Sequence, residues 1–561
     1  MEISHLIVGG GTAGCVVASR LSEDAGTRVV LVEAGGDYRP DLVPEDIAAA
    51  YAGRALYNRG YFWPGMSVRR GNGHANDELG YEQARVIGGG SSINGQVALR
   101  GAPADYDRWE ALGAQGWGWH AVLPYFRKLE TDLDFDGQSH GAHGPIAIRR
   151  IPEDQWDGFT KSVVAAWAAA GFARRDDMND GLEVGFAPVP VSHDGKQRIS
   201  TALGYLNDSV RRRPNLQIMT GAEVRRLIFE GRRCVGVELR RGGELSTLRA
   251  GHVVLCAGSL RTPWLMMKSG IGPAAHLREH GVTPVVDRAG VGQQLQDHPT
   301  VSIVAFKAPH VRHKAIRHNY ANLVYSSGLP GVPAGDMVMS VICKTAWHAL
   351  GDRLGALSTY VGKPFSTGSV RLAPKGPDAD PLVTFNWLAD DRDVERAAMS
   401  FRMMATLLRS ERFRDVVLDS FASGFSPRVK KIGALTTTNR LLTLAAGAAM
   451  DVSAPLRRQI IRRVAMDGPP VEALLADDAL LKDYLRATVT GIWHPCGTTR
   501  MGSASDNAAV VDGRGRVIGI DNLSVADASV MPEIPTTNLN IPTIMVAERI
   551  SDFIRDERRA A

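Results

Sequence analysis

Hydrophobic and polar positions follow a regular order at the start of the chain. The stretch "HLIVGGGTAGCVVASRLSEDAGTRVVLVEAG" passes from a short apolar run through glycines into Ala, Val and Leu at helical spacing, and then into a second apolar run. Short apolar runs bounded by glycines are typical of buried strands, and the segment between them has the period of a helix. The pattern therefore predicts a strand–helix–strand unit.

Further along the chain the pattern predicts an α/β fold with two interleaved domains. Strands and hairpins are predicted in "NLQIMTGAEVRRLIF" and "CVGVELRRGGELSTLRAGHVVLCAGS", helices over most of residues 394–484, and an amphipathic helix from "NIPTIMVAERI" onward. We expect a first domain made of residues 1–150, 201–300 and 491–561. A second domain, residues 151–200 and 301–490, is expected to be inserted into it.

Length and composition fit a globular enzyme of more than one domain. The chain has 561 residues, 44% of them hydrophobic and 22% charged, which are close to average values. The formal net charge is only +5, and basic residues are scattered among acidic ones. A nucleic-acid partner is therefore not expected.

The cysteines and the apolar segments bear on location. Five widely separated cysteines argue against a disulfide framework and predict a reducing compartment, which we take to be the cytoplasm. The first strand begins too early to leave room for a signal sequence. The stretch "LLTLAAGAAM" is too short to span a bilayer, so no transmembrane segment is expected. It could form a buried helix, a cap helix or a membrane-facing patch.

Gly9, Gly11 and Gly14 form a G-x-G-x-x-G motif between the first strand and its helix, with Thr12 and Ala13 inside it. Such a turn lets backbone approach a pyrophosphate at the helix amino terminus. Glu33, followed by Ala34, ends the second strand, where a carboxylate can bind both ribose hydroxyls. The combination favours a dinucleotide cofactor but does not distinguish NAD from FAD.

A second glycine-rich stretch, "RVIGGGSSINGQVALRG" at residues 85–101, separates these two cofactors. It predicts an irregular loop close to another part of a large cofactor, which a plain NAD domain does not need. With this stretch the sequence resembles the glucose-methanol-choline (GMC) family of FAD oxidoreductases. "GSLRTPWLMMKSGIG", "VGQQLQDHP", "WHPCGTTRMG" and "TNLNIPTIMVAERI" extend the resemblance in order over nearly the whole chain. It implies a doubly wound, Rossmann-like FAD-binding domain and a substrate domain of antiparallel sheet plus helices.

His494 in "GIWHPCGTTRMG" has several possible roles. It could ligate a metal with Cys496, assist a cysteine nucleophile, pack in the core or act as a base. Cys496 alone provides no second pair of metal ligands, and no metal is expected. The resemblance implies a base at the flavin, working with a polar side chain near the start of the last helix. We align that partner with Asn540 and keep Asn538 as its rival; Asn540 also suits a helix cap.

The resemblance implies further contacts with FAD. The positions expected to bind it, besides the two glycine-rich turns and the ribose-binding Glu33 and Ala34, are Val86, Gly90, Ser91, Asn94, Gly95, Val224, Ala257, Gly258, Trp493, Asp527, Ala528 and Ile541. Ile93 occupies a position where some members carry a histidine bonded to FAD, so non-covalent FAD is expected. Ile492 and Trp493 are expected to line the substrate pocket.

The resemblance also implies a reaction. We expect hydride transfer from a primary alcohol, aromatic or furanic, to flavin N5, with oxygen or another electron acceptor reoxidising the flavin. A choline-type alcohol dehydrogenase using a non-oxygen acceptor and an FAD-containing lyase stay open. His310, His313 and His318 lie in the basic run "PHVRHKAIRH" and are predicted to belong to a solvated loop.

Overall fold

The computed structural model describes residues 2–75, 77–312, 316–424, 426–466 and 468–560. It confirms the predicted α/β fold. Its strands are β1 Ile3–Val8, β2 Val29–Val32, β3 Ser67–Arg69, β4 Glu78–Gly80, β5 Glu130–Asp132, β6 Ile146–Arg149, β7 Gly185–Pro188, β8 Val191–Ser192, β9 Leu216–Met219, β10 Ala222–Glu230, β11 Arg233–Arg241, β12 Glu244–Leu255, β13 Ile271–Gly272, β14 Val286–Asp287, β15 Pro299–Lys307, β16 Asn319–Tyr325, β17 Met337–Ile342, β18 Leu354–Val361, β19 Ser369–Arg371, β20 Leu382–Thr384, β21 Val417–Ala422, β22 Thr490–Gly491 and β23 Leu523–Val525.

Helices connect and cover these strands, and the region predicted to be rich in helix is confirmed. They are α1 Thr12–Leu21, α2 Glu45–Ala48, α3 Gly53–Tyr57, α4 Gly90–Ile93, α5 Pro103–Ala111, α6 Trp119–Leu129, α7 Gly158–Ala169, α8 Thr201–Gly204, α9 Asp208–Arg211, α10 Gly258–Lys268, α11 Ala274–Glu279, α12 Ala349–Arg353, α13 Asp391–Leu408, α14 Pro427–Gly433, α15 Thr437–Val452, α16 Ala454–Ile460, α17 Val471–Ala476, α18 Asp478–Thr488 and α19 Asn540–Ala560.

The first large sheet carries the strand–helix–strand unit at its centre. Its strand order is β10-β11-β12-β1-β2-β9, with β23 added beside β12. Strands β9, β2, β1, β12 and β23 run parallel, whereas β10 and β11 join β12 as antiparallel neighbours. Every residue of β2 is buried, as expected for a strand with helices on both faces.

The second large sheet is antiparallel and comes from the middle of the chain. Its order is β21-β15-β18-β17-β16-β7, and β22 pairs with β15. Buried and half-buried residues alternate along most of β15, whereas every residue of β16 is buried. Helix α13 packs against β15 and β18 and covers one face of this sheet.

Helix α19 packs lengthwise against α1 and brings a charged residue into the interior. Glu548 is fully buried, although the helical pattern suggested a polar outer face. Its carboxylate accepts a hydrogen bond from Tyr205 and pairs with Arg20 at 2.6 Å and Lys128 at 3.0 Å. Burial opposes ionisation of Glu548, but the bonds from Arg20 outweigh it and lower the pKa. The ion pairs thus join the first and last helices.

None of the described helices combines the length and the apolar character that a membrane crossing requires. The five cysteines are all buried and none is in a disulfide. Burial raises the pKa of the Cys15 thiol to about 12, so this thiol stays protonated at neutral pH.

The turn from β1 into α1 depends on the absence of side chains at two glycines. Gly9 has φ +99, and a Cβ atom on Gly14 would lie 1.8 Å from the carbonyl oxygen of Gly9. We expect Gly14→Ala to lower the free energy of unfolding by about 3 kcal/mol, because the turn must shift to admit the methyl group. Urea denaturation followed by circular dichroism measures this loss.

Gly36→Ala is the matched control, because a Cβ atom there meets no atom within 4 Å. Equal stability of the two variants would contradict the close packing of the turn.

Candidate active site

A cavity of about 560 Å³ lies where the two large sheets approach each other. The β1–α1 turn and residues 84–97 line one part of it, and residues on β16, β17 and β18 line another. Residues 492–495 and 538–540 line the part between them. The cavity thus joins the β1–α1 turn of the first sheet to the strands of the second.

The glycine-rich turns leave open space along the first part of the cavity. A Cβ atom on Gly90 would meet no atom within 4 Å, and one on Gly11 would meet only the Gly89 Cα at 3.8 Å and the Cys256 carbonyl oxygen at 4.0 Å. Helix α1 begins at Thr12, directly at this space. Unpaired N–H groups and the helix dipole make such an end suitable for a phosphate group.

Glu33 lies beside this turn and is nearly inaccessible to solvent. Its Oε2 accepts a hydrogen bond from the Gly10 amide at 2.7 Å, and its Oε1 accepts one from the Gly35 amide at 2.7 Å. Burial raises the pKa of Glu33, and the two backbone hydrogen bonds offset only part of this rise. Each carboxylate oxygen keeps a further lone pair, so Glu33 can also accept hydrogen bonds from ribose hydroxyls in the cavity.

The buried carboxylate of Asp297 fixes the backbone at the other part of the cavity. Its Oδ1 accepts hydrogen bonds from the amides of His298 at 2.8 Å and His494 at 2.9 Å. Beside it, β15 and β22 pair, and Gln296 bridges Cys496. Burial raises the pKa of Asp297 to about 7, although these backbone bonds lower it. The backbone amides of His298 and His494 therefore lie next to each other, and their imidazoles come into contact.

The hydrogen bonds around His298 determine the tautomers of both imidazoles. His298 Nε2 lies 3.1 Å from the Gly362 carbonyl and 3.0 Å from the Pro535 carbonyl, which only accept, so it carries the hydrogen. Its Nδ1 then accepts from His494 Nδ1, 2.9 Å away. This assignment follows from the network. It leaves the Nε2 of His494 unprotonated and facing the cavity.

Burial keeps both imidazoles neutral. It lowers the pKa of His494 well below its ordinary value, and the neighbouring His298 lowers it further. Burial also lowers the pKa of His298 to about 3. A neutral His494 can accept a proton from a bound molecule at neutral pH.

Asn538, rather than Asn540, contacts this lone pair. The Nδ2 of Asn538 lies 3.1 Å from His494 Nε2. Asn540 is the first residue of α19, and its Oδ1 accepts from the Thr12 hydroxyl at 3.4 Å. The expected pairing of His494 with Asn540 is thus corrected: the side chain two residues before the helix start, and not that of the first helical residue, reaches the histidine.

Most residues expected to contact the cofactor line the cavity. These are Gly9, Gly11, Thr12, Ala13, Glu33, Ala34, Val86, Gly90, Asn94, Gly95, Val224, Ala257, Gly258, Trp493, Asp527 and Ala528, and Ile492 lines it as well. Gly14, Ser91 and Ile541 stand behind this lining. Gly14 packs on Gly9, the Ser91 hydroxyl donates to the Gly88 carbonyl at 2.6 Å, and Ile541 is buried in α19.

Asp527 shows why a lining residue can also be structural. Its Oδ2 accepts hydrogen bonds from the Gly258 amide at 2.8 Å and the Thr262 hydroxyl at 2.7 Å. Its Oδ1 accepts from the amide of Ser529 at 2.9 Å. The carboxylate therefore ties the start of α10 to the segment that follows β23.

Two histidines of this site were not identified from the sequence. His298 follows Asp297 in "VGQQLQDHP" and directly precedes β15. His318, predicted to be solvated, lines the cavity, and burial lowers its pKa to about 4. His310 is exposed as expected, and His313 lies outside the described residues.

The wall formed by the second sheet is polar but uncharged near His494. It presents Asn319, Asn322, Ser340, Ser358 and Tyr360. The carboxylates among the described lining residues, Glu33, Glu82, Glu223 and Asp527, all lie outside this sheet.

Two family models match the chain, both described as GMC oxidoreductase. The amino-terminal model matches residues 3–300 and the carboxyl-terminal model matches residues 364–547. Together they cover most of the chain, including both glycine-rich turns and the His494–Asn538 pair.

Named relatives resemble the chain over nearly its full length. It is 37% identical over 564 residues to 5-(hydroxymethyl)furfural oxidase of Methylovorus sp. (strain MP688), covering 98% of each chain. It is 32% identical over 582 residues to an oxygen-dependent choline dehydrogenase of Sinorhizobium fredii, covering 99% of this chain and 96% of the relative. The crystal structure of pyridoxine 4-oxidase from Mesorbium loti superposes with a TM-score of 0.81 at 27% identity, covering 99% of each chain.

The neutral state of His298 makes stability depend on pH. Its pKa is about 3 in the folded protein against 6.5 when exposed, so the unfolded chain binds a proton first as pH falls. The stability is complete above pH 6.5 and is lost progressively below it. We expect His298→Gln, which keeps a donor and an acceptor but does not titrate, to reduce the slope of unfolding free energy against pH. The reduction approaches about 1.4 kcal/mol per pH unit as the pH falls below 6.5.

Urea unfolding at several pH values between 7 and 5 measures this slope. His310→Gln is the control, since His310 is exposed. Identical slopes for wild type and His298→Gln would show that His298 is not held neutral.

Proposed function

Because the chain belongs to the GMC oxidoreductase family, we propose that it oxidises a primary alcohol, aromatic or furanic, to the aldehyde, with His494 as base. FAD, when bound, supplies the N5 position that accepts the hydride. One observation carries the proposal: the unprotonated Nε2 of His494 and the amide of Asn538 face the same cavity 3.1 Å apart.

The residues around the first part of the cavity fit FAD. Gly11 and Gly90 leave room for a pyrophosphate at the start of α1, and Glu33 is oriented to bind a ribose. Val224, Ala257 and Asp527 extend the same lining. At Ile93, which also lines the cavity, an aliphatic side chain cannot bond covalently to a flavin, which supports a dissociable cofactor.

His494 and Asn538 together can hold one hydroxyl group. The alcohol would donate its hydrogen bond to His494 Nε2 and accept one from Asn538 Nδ2, replacing the direct contact between the two side chains. This orients the hydroxyl before it loses its proton. As His494 takes up the proton, its Nδ1–H stays bonded to His298 Nδ1, which stabilises the resulting imidazolium. His298 is thus a positioning residue for the base.

The wall of the second sheet supports a neutral substrate. Asn319, Asn322, Ser340 and Ser358 offer hydrogen bonds without charge, and Trp493 and Tyr360 offer aromatic surface. A quaternary ammonium group such as that of choline prefers an aromatic cage or a carboxylate. Since no described residue on this wall carries a carboxylate, a quaternary ammonium group would have no counter-ion there. The aromatic side chains can instead pack against a benzylic or furanic ring.

Oxygen is the acceptor we propose, because the named furfural oxidase shares the full length of the chain. We also propose a cytoplasmic location, supported by five buried cysteines without a disulfide.

Anaerobic mixing with a panel of benzylic, furanic, aliphatic and choline-type alcohols tests the function. A benzylic or furanic alcohol should bleach the yellow absorbance, and readmitted air should restore it. Preferential bleaching by choline would support the choline-type alternative, and slow recovery in air would indicate another acceptor. Cleavage of a cyanohydrin without bleaching would support a lyase. Acid precipitation should release the flavin into the supernatant if it is bound non-covalently.

His494→Ala should retain FAD but reduce turnover by about 10²- to 10⁴-fold, the usual contribution of a positioned general base. Stopped-flow measurement of flavin bleaching with a benzylic alcohol gives the rate, and absorbance gives the cofactor content. Near-normal turnover with full cofactor content would remove His494 from this role.

The two asparagines should behave differently. Asn538→Ala removes the donor beside His494 and should reduce kcat/KM at least about tenfold, the value of one hydrogen bond to a developing charge. Asn540→Ala, the matched control, removes a contact with Thr12 and should act on stability and FAD content more than on kcat/KM. The reverse ranking of kcat/KM would restore Asn540 as the partner.

A further inference from the structure

Helix α15 exposes an apolar face to solvent, which is unusual for a surface helix. Between Arg440 and Asp451 every exposed position is apolar: Leu441, Leu442, Leu444, Ala445 and Ala448. Leu441 is 61% exposed and Leu442 62%, and Val452 at the end of the helix is 89% exposed. We call these six residues the leucine face. A surface helix normally turns charged residues outward on this side.

The opposite side of α15 is already packed. Thr443, Gly447 and Met450 are buried, and α15 contacts α12 and α16. Gly447 lies directly under Arg353, whose Nε bonds Asp451 at 2.8 Å. The helix is therefore anchored by its inner side, and its outer side contributes nothing to this packing.

The chain around the leucine face is strongly basic. Residues 427–463 contain eight basic residues, Arg428, Lys430, Lys431, Arg440, Arg457, Arg458, Arg462 and Arg463, and one acidic residue, Asp451. Asp451 is neutralised by Arg312 at 2.6 Å and Arg353 at 2.8 Å. Since the whole chain carries only +5, the rest of it is slightly acidic. Outside this segment, Glu82 pairs with Lys430, and Asp419 pairs with Arg457 and Arg458. The exposed Lys431, Arg440, Arg462 and Arg463 therefore supply the positive charge beside the apolar side chains.

We propose that the leucine face and the basic residues beside it form a docking surface for the anionic face of a phospholipid bilayer. Leucines inserted at the headgroup boundary, with Lys and Arg beside them, are the two contributions that hold an interfacial helix on such a membrane. A second copy of the chain fits less well, because two such basic segments would repel each other.

The docking surface adjoins the cavity. Gly433, at the end of α14, packs against Tyr57, and Lys430 Nζ pairs with Glu82 at 2.7 Å. Tyr57 and Glu82 both line the cavity. Docking would therefore bring this end of the cavity to the membrane, where apolar molecules are concentrated. The proposal stands independently of the reaction, since it rests only on this surface.

Sedimentation with vesicles tests the proposal on the purified, flavin-loaded protein. We expect it to sediment with equimolar phosphatidylglycerol and phosphatidylcholine, to stay in solution with phosphatidylcholine alone, and to be released by high salt. Replacing Leu441, Leu442 and Leu444 together by Asp should abolish binding. Leu245→Asp is the matched control, because Leu245 on β12 is 56% exposed, as is Leu444.

Arg462→Gln combined with Arg463→Gln tests the charge separately and does not disturb the leucine face. Each substitution should weaken partition into anionic vesicles about fivefold. Flavin absorbance and turnover of a soluble alcohol should remain those of wild type in all variants. Failure of wild type to sediment, or binding equal to wild type by the leucine variant or the charge variant, would overturn the proposal. So would a dimer in size-exclusion chromatography that the leucine substitutions convert to a monomer.

Discussion

The buried carboxylate of Asp297 orients the reactive end of the cavity. One of its oxygens holds the amides of His298 and His494, so two stretches nearly two hundred residues apart are fixed at one point. The two imidazoles then bond each other, and carbonyls behind His298 determine where the hydrogens lie. The direction of the His494 Nε2 lone pair therefore depends on the Asp297 carboxylate, which does not itself line the cavity.

Much of the fold could be predicted because it depends on local patterns. The first strand, its glycine turn and its helix have the periods of a strand and a helix, and the structure has them as β1 and α1. The start of α19 at Asn540 was likewise visible, since Asn and Pro suit the first turn. The burial of Glu548 was not, because its partners Arg20 and Lys128 come from distant segments.

The contacts in the site were harder to predict, because they do not follow the hydrophobic periodicity of a helix or a strand. Asn538 and Asn540 are the same residue type two positions apart, and only the path of the backbone before α19 decides which reaches His494. His298 lies in the motif "VGQQLQDHP", yet its partners are the backbone carbonyls of Gly362 and Pro535. No sequence pattern predicts these contacts. His318 looked solvated because its neighbours are basic, whereas the strand β16 that follows it is fully buried.

The bond between Thr12 and Asn540 joins residues 528 positions apart. Two segments far apart in the sequence thus form neighbouring walls of the cavity. The turn at the start of α1 completes its contacts only when α19 packs against it, and long-range closure of this kind is slow. Folding intermediates that lack this packing leave the cavity walls apart, so the yield of folded protein depends on how quickly the two segments meet.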